Sequence, residues 1–263
     1  MNSICKTFKD CSSDIQRWIT KQPEVKEESM TDRFLYNLSE KIPTLKYKQF
    51  TRTEEGRKTG ADWEWWFIFS NKEAFGSRVQ AKKLKDKVDN YTGIAYVSND
   101  RLQIERLLDD SATDGLASFY SFYTAESSKN TMCGGGEVGE GVFLGEANKL
   151  RDEFILQPRK KLAPVDILNF TNPISCLFCC PITFDHGKNI KEGFRKHIKR
   201  YFPDFSKNRR ENSNQEELGF VPTPNYILQF LSDNAEDYWE TEYRTRFEKT
   251  NAIVVIDLRK EKH

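Results

Sequence analysis

The sequence predicts an α/β protein built on a mixed sheet. An amphipathic helical stretch comes first, then two β-rich segments joined by a polar turn, then a second helical stretch leading into an aromatic strand. In the first stretch, Met30, Phe34, Leu35 and Leu38 fall on one helical face. Glu27 and Glu28 sit in its first turn, where the helix dipole favours acids, and Pro43 closes it. Leu45 to Thr53 has strand character. Ala61 to Phe69 (ADWEWWFIF) is dense in aromatic β-formers, and Ser77 to Leu84 is its partner across a turn at 70–76, which predicts a hairpin. Tyr91 to Tyr96 reads as a short extended piece, and Asp100 to Asp114 as a helix with Asn99 as its N-cap. Leu116 to Tyr123 (LASFYSFY) reads as a buried strand.

The flanks are less regular. Residues 1–26 carry one short apolar group (Ile15, Trp18, Ile19) before Pro23 and read as a loosely attached helix or arm. Beyond 125, the pattern predicts helices over Glu146–Phe154, Ile190–Tyr201 and Tyr226–Leu231, and a helical region over Asp233–Phe247. Ala252–Leu258 (AIVVIDL) reads as a closing strand. The expected organisation is an arm over 1–26, a core over 27–124 and a C-terminal α/β elaboration over 125–263, packed on the core as one domain.

Composition excludes several classes. The 263 residues hold 41 Lys and Arg against 40 Asp and Glu, so there is no whole-protein basic signal, and any nucleic-acid contact must come from a local patch. Aromatic residues make up 13 % of the chain, too many for global disorder. No apolar run is long enough to span a membrane. The opening MNSICKTFKDC lacks the apolar core of a secretory signal. A cytoplasmic protein is therefore expected, with its six cysteines reduced. The Cys176-x-x-Cys179 spacing has no second ligand pair within zinc-site range and reads as core. The glycine-rich run 133–141 lacks the Gly-Lys-Ser/Thr ending of a phosphate-binding loop and reads as a flexible connection.

The hairpin carries the chemistry. Residues two apart on a strand share a face, so Asp62 and Glu64 lie together, and on the partner strand so do Gln80 and Lys82. Paired in the usual way, these four converge. Oxygen ligands such as Asp62 and Gln80 suit a hard divalent cation, and a lysine beside them can orient a water and neutralise developing charge.

Asp62 followed after seventeen residues by Gln80-Ala81-Lys82 resembles the signature of the PD-(D/E)xK nuclease superfamily. It is closest to the branch with Gln in the middle position, seen in modification-dependent restriction endonucleases. More narrowly, TGADWEWWF (59–67), RVQAKKL (78–84), Glu28-Ser29-Met30-Thr31-Asp32, Gln103-Ile104 and SFYSFY resemble an uncharacterised family of bacterial proteins. The resemblance implies a restriction-endonuclease-like core: helix, mixed sheet with a central hairpin, helix, strand. It implies a Mg²⁺- or Mn²⁺-dependent endonuclease, with DNA favoured over RNA, in prokaryotic antiviral defence. Asp62, Gln80 and Lys82 become the catalytic residues, and Asp62, Gln80 and Glu28 metal ligands. Glu64 is added from its face, and Gln103 is auxiliary. Ala61 stands where the superfamily commonly has Pro, and Gln80 replaces a carboxylate. The other reading of the same fold is a non-catalytic nucleic-acid-binding or protein-interaction module. On either reading nucleic acid is the expected partner, and a second copy of the chain or a defence-system protein is a further candidate.

One local basic patch stands out. Lys188, Lys191, Arg195, Lys196, Lys199 and Arg200 lie on the helix predicted over 190–201 or just before it, and Lys207, Arg209 and Arg210 extend the run. Phosphate-backbone contact is the functional reading, against a solvated basic face. His197 on the same helix reads as ordinary surface.

Overall fold

In a computed structural model of the chain, the described residues are 3–49, 60–85, 91–98, 100–126, 139–157, 162–181, 189–203, 219–232 and 250–260. The expectations for residues 50–53, Asn99, most of the glycine-rich run, Lys188, most of the loop after 203 and the helical region from Asp233 lie outside them.

Two helices open the chain, α1 (Ser3–Lys21) and α2 (Glu27–Lys41), followed by β1 (Leu45–Gln49) and the hairpin β2 (Trp63–Ser70) and β3 (Glu73–Lys83). A 3₁₀ turn at Gly93–Ala95 replaces the extended piece expected there. It leads to the short pair β4 (Val97–Ser98) and β5 (Arg101–Leu102), then α3 (Gln103–Thr113) and β6 (Ala117–Tyr123). Then follow β7 (Val142–Glu146), α4 (Ala147–Phe154), α5 (Pro164–Leu168), β8 (Thr171–Pro173), α6 (Cys176–Cys179), α7 (Ile190–Tyr201), β9 (Phe220–Val221), α8 (Asn225–Leu231) and β10 (Ala252–Asp257).

Apart from the β4–β5 pair, these strands form one mixed sheet in the order β1-β10-β2-β3-β6-β7-β8, with β9 also paired to β3. β10 runs parallel to β2, and β3 parallel to β6, while the other pairs are antiparallel. The last strand therefore enters between β1 and β2. AIVVID is buried at every position, as a strand covered on both faces requires.

The alternation of β2 divides the core. Trp63, Trp65 and Phe67 face a cluster built with α1, α2, α6 and α7. Trp66 and Ile68 face the opposite side, where α8 supplies Ile227. Further along that second face, α3, α4 and α5 cover Tyr120, Phe122 and Phe143. The protein is thus a helix–sheet–helix sandwich.

α1 differs from expectation. Its helical character holds, but it is not loosely attached: Ile4, Phe8, Cys11, Ile15 and Ile19 form a buried stripe at helical spacing. The Phe8 ring stacks on Trp65 at 5.9 Å and lies 5.1 Å from Phe178. The expectation of six reduced cysteines is also corrected. Cys5 on α1 forms a disulfide with Cys179 on α6, the Cα atoms being 5.1 Å apart. Both helices rest on the same sheet face, which brings residues 174 apart in sequence into bonding range. Cys11 and Cys180 lie within the core. Among the described residues, no helix is long and apolar enough to cross a membrane.

Candidate active site at the end of the central hairpin

Asp62 stands immediately before β2 and is tied at its backbone. Its N–H donates to Val79 O at 2.8 Å, and its carbonyl accepts from Asn251 N at 3.0 Å. The side chain turns toward β3, where Asp62 Oδ2 accepts from Gln80 Nε2 at 2.5 Å and from Ala81 N at 2.6 Å. Gln80 Oε1 in turn accepts from Gln103 Nε2 at 2.7 Å. The hairpin and the first residue of α3 are thereby joined in one chain, Asp62–Gln80–Gln103. Gly60 makes this approach possible. Its φ is +69°, and a Cβ there would stand 2.8 Å from Gln103 O and 3.2 Å from Gln103 Cγ.

The electrostatics of the cluster favour a cation. Burial pushes the Asp62 carboxyl up to about 7; the charges of Glu27 and Glu28 add to this, while the Ala81 N–H and Lys82 oppose it. Burial also raises the Glu27 carboxyl, against the pull of Lys82. Lys82 lies on the same strand, and its Nζ stands over the Tyr96 ring, 5.5 Å from the centroid.

Three contributors were not anticipated. Glu27, rather than Glu28, reaches the end of β3, where its Oε2 accepts from Lys83 N at 2.6 Å. Helical phase explains why: Glu27 lies four residues before buried Thr31, whereas Glu28 lies four before exposed Asp32. Tyr120 sits beside Gln80 in the β3–β6 register. Its hydroxyl is buried, makes no hydrogen bond among the described residues, and is pushed up by burial and by Tyr91, Asp62 and Glu27. Tyr91 is shifted the same way by burial and Glu27. Both phenols stay neutral donors.

Two expected metal ligands are placed elsewhere. Glu28 is exposed and acts on the cluster through its charge alone. Glu64 shares the face of Asp62, as its parity requires, but does not converge with it. Its Oε1 accepts from Trp66 Nε1 at 2.7 Å and from Tyr226 OH at 3.0 Å, and its Oε2 lies 3.6 Å from Arg78 Nε. Arg78 also donates to Asp110 O at 2.6 Å and pairs with Asp114. These groups line a separate cavity of about 540 Å³ between the end of α3 and α8.

The donor set still suits a hard divalent ion. Gln80 Nε2 stands between Asp62 Oδ2 and Ala81 O, at 2.5 and 3.0 Å, so two oxygens converge on one electropositive group. Mg²⁺ and Mn²⁺ sites ask for few protein oxygens and leave room for water and phosphate. Among the described residues, no three of His, Cys, Asp and Glu stand together as a metal group. The site therefore depends on the Asp62 carboxylate and the Ala81 carbonyl, between which the Gln80 amide nitrogen now stands.

The basic helix α7 is not beside this cluster. Lys191 pairs with Glu73 at the start of β3, and Arg195 reaches the same carboxylate at 2.5 Å. Glu73 and Gln80 are seven residues apart on one strand, about 23 Å at the usual rise. Lys196, Lys199 and Arg200 are exposed. His197 is not surface but fully buried, and burial pushes its imidazole down to about 3, so it carries no charge at neutral pH.

No curated protein matches the sequence. The match of a family model to residues 4–262, nearly the whole chain, makes this protein a member of the family of unknown function DUF6615.

Proposed function

We propose that the chain is a divalent-metal-dependent nuclease, with DNA favoured over RNA. The observation that carries this reading is the junction of Asp62, Gln80 and Gln103 at the end of β3, where a half-buried carboxylate is raised to about 7 against the opposing charge of Lys82. The specific restriction-endonuclease-like assignment is part of the same proposal. It is supported by the hairpin, the parallel β3–β6 pair and the helix between them. A role in prokaryotic antiviral defence comes from the resemblance alone.

Asp62 and the Ala81 carbonyl would hold Mg²⁺ or Mn²⁺, and Gln80 would join them only with its amide turned over, so that Oε1 rather than Nε2 faces these two oxygens. Such an ion supplies charge stabilisation at the phosphoryl oxygens and a more acidic bound water. Lys82 presents a cation on the same strand, where it orients the attacking water and offsets charge developing on the phosphate. Gln103 Nε2 holds Gln80 Oε1 away from Asp62, and Gln103 Oε1, which makes no hydrogen bond among the described residues, would accept from the Gln80 amide once turned.

Lys82→Ala should lower turnover by about 10²-fold or more, the scale of removing one electrostatic stabiliser. Metal affinity by calorimetry should change little, because no ligand is removed. Supercoiled plasmid, single-stranded DNA and RNA, each with Mn²⁺ or with EDTA, are the substrates to compare. Cleavage by a folded Lys82→Ala protein at the wild-type rate would sink the assignment. The non-catalytic alternative draws on the same amide that fills the cradle: a binding module needs neither the ion nor Lys82.

Lys196 and Arg200 are candidate phosphate-binding groups away from the chemistry. Changing both to Glu should weaken binding and flatten the slope of log K against log salt, by roughly 0.7–0.9 for each phosphate no longer neutralised. kcat should stay at the wild-type value. An unaltered slope would make α7 a solvated face whose Lys191 and Arg195 serve Glu73.

A further inference from the structure

Tyr96 is 54 % exposed and lies against Lys82 of the Asp62 cluster. A single exposed tyrosine is unremarkable by itself. This one is held by its backbone against the candidate site. Its carbonyl accepts the N–H of Gln103 at 2.9 Å, and Gln103 is the first residue of α3 and the end of the chain to Gln80 and Asp62. The turn before it is closed by Ala95 N–H to Thr92 O at 3.0 Å, and Val97 after it pairs with Leu102. The ring is thus displayed by fixed main chain rather than by a mobile tip. The Lys82 Nζ lies 5.5 Å from its centroid, so a phosphate held at that amine carries its own base next to the ring.

We infer that Tyr96 is a stacking platform for the base next to the attacked phosphodiester, and that the substrate is single-stranded or locally unpaired there. This rests on the nuclease reading above and narrows its substrate class. Inside a duplex both faces of a base are covered by its neighbours, so only an unstacked base offers a face to an aromatic ring. Stacking on an aromatic side chain beside a cationic group is how single strands are held without sequence preference. Lys82 stands over one face of the ring and supplies the cation, so the base takes the opposite face.

The test compares the full-length wild type with Tyr96→Ala and Tyr96→Phe. Anisotropy in EDTA reads the affinity for a labelled single strand and for its duplex, and initial rates with Mn²⁺ read KM and kcat. Tyr96→Ala should weaken single-strand binding by roughly 5- to 150-fold, the range expected for removing one base stack. It should raise KM on the single strand and leave duplex affinity and the thermal midpoint unchanged. Tyr96→Phe keeps the ring face and should bind as the wild type does. If the wild type cleaves but Tyr96→Ala binds single strands equally well, stacking is overturned while the nuclease reading stands. Equal losses on duplex and single strand overturn it too, pointing to a packing role. A wild type that neither binds nor cleaves any nucleic acid removes the nuclease reading and this inference together.

Discussion

Asp62→Asn should make the metal-free protein more stable at pH 8 while abolishing cleavage. The folded carboxyl titrates at about 7 and the free side chain at 3.8. A folded-state value above the unfolded one means that the stability tied to the protonated form is complete below 3.8. That stability is lost as pH rises toward 7. The shift corresponds to at most about 4 kcal/mol by the usual conversion, and partial solvent access reduces it. Asparagine resembles the protonated carboxyl: its oxygen can still accept from Ala81 N and Gln80 Nε2. Its own amide hydrogens need partners, at a cost of about 1–3 kcal/mol if they find none. A net gain on the order of 1 kcal/mol remains, or about 2–4 °C in melting temperature. Melts in EDTA from pH 4 to 8 should show the wild type falling relative to the mutant. Adding Mn²⁺ should raise the wild-type midpoint, because a ligand that binds only the folded state stabilises it. The same Mn²⁺ shift in the mutant would show that Asp62 does not hold the ion.

Trp65→Ala should be the most destabilising change on the opposite face of the same strand. Trp65 is 1 % exposed, stacks on Phe8 and lies 5.1 Å from the Phe67 ring. Removing a buried aromatic of this size costs about 3–5 kcal/mol. In a chain of this length that lowers the melting temperature by roughly 6–20 °C. Trp65→Phe should cost far less. The ring volume is largely kept, and the indole N–H that phenylalanine lacks makes no hydrogen bond among the described residues. Metal affinity of the folded fraction should be unchanged in both mutants. A loss of metal binding at full folding would place the two faces of β2 in one functional unit.

Local pattern was enough for most elements. The face of α2, the hairpin, α3, β6, α7 and the strand character of AIVVID follow from periods of 3.6 and 2, which depend on backbone geometry within a few residues. The stripe Ile4, Phe8, Cys11, Ile15 and Ile19 was also legible, but only with cysteine counted as apolar. The phase of α2 could have selected Glu27 over Glu28. The pairing of Asp62 with Gln80, and the place of Gln103, followed from strand parity and the resemblance.

Long-range packing decided the rest. Parity put Glu64 on the face of Asp62 and was right about the face. It could not show that Tyr226, 162 residues away, and Arg78 across the hairpin would take up that carboxylate. The same holds for the insertion of β10 between β1 and β2, for the Cys5–Cys179 bond, and for the engagement of Lys191 and Arg195 by Glu73. A backbone period is set by near neighbours in the chain. The fate of a charge or a thiol is set by whichever partner the fold brings within a few ångströms, and that partner is not near it in sequence.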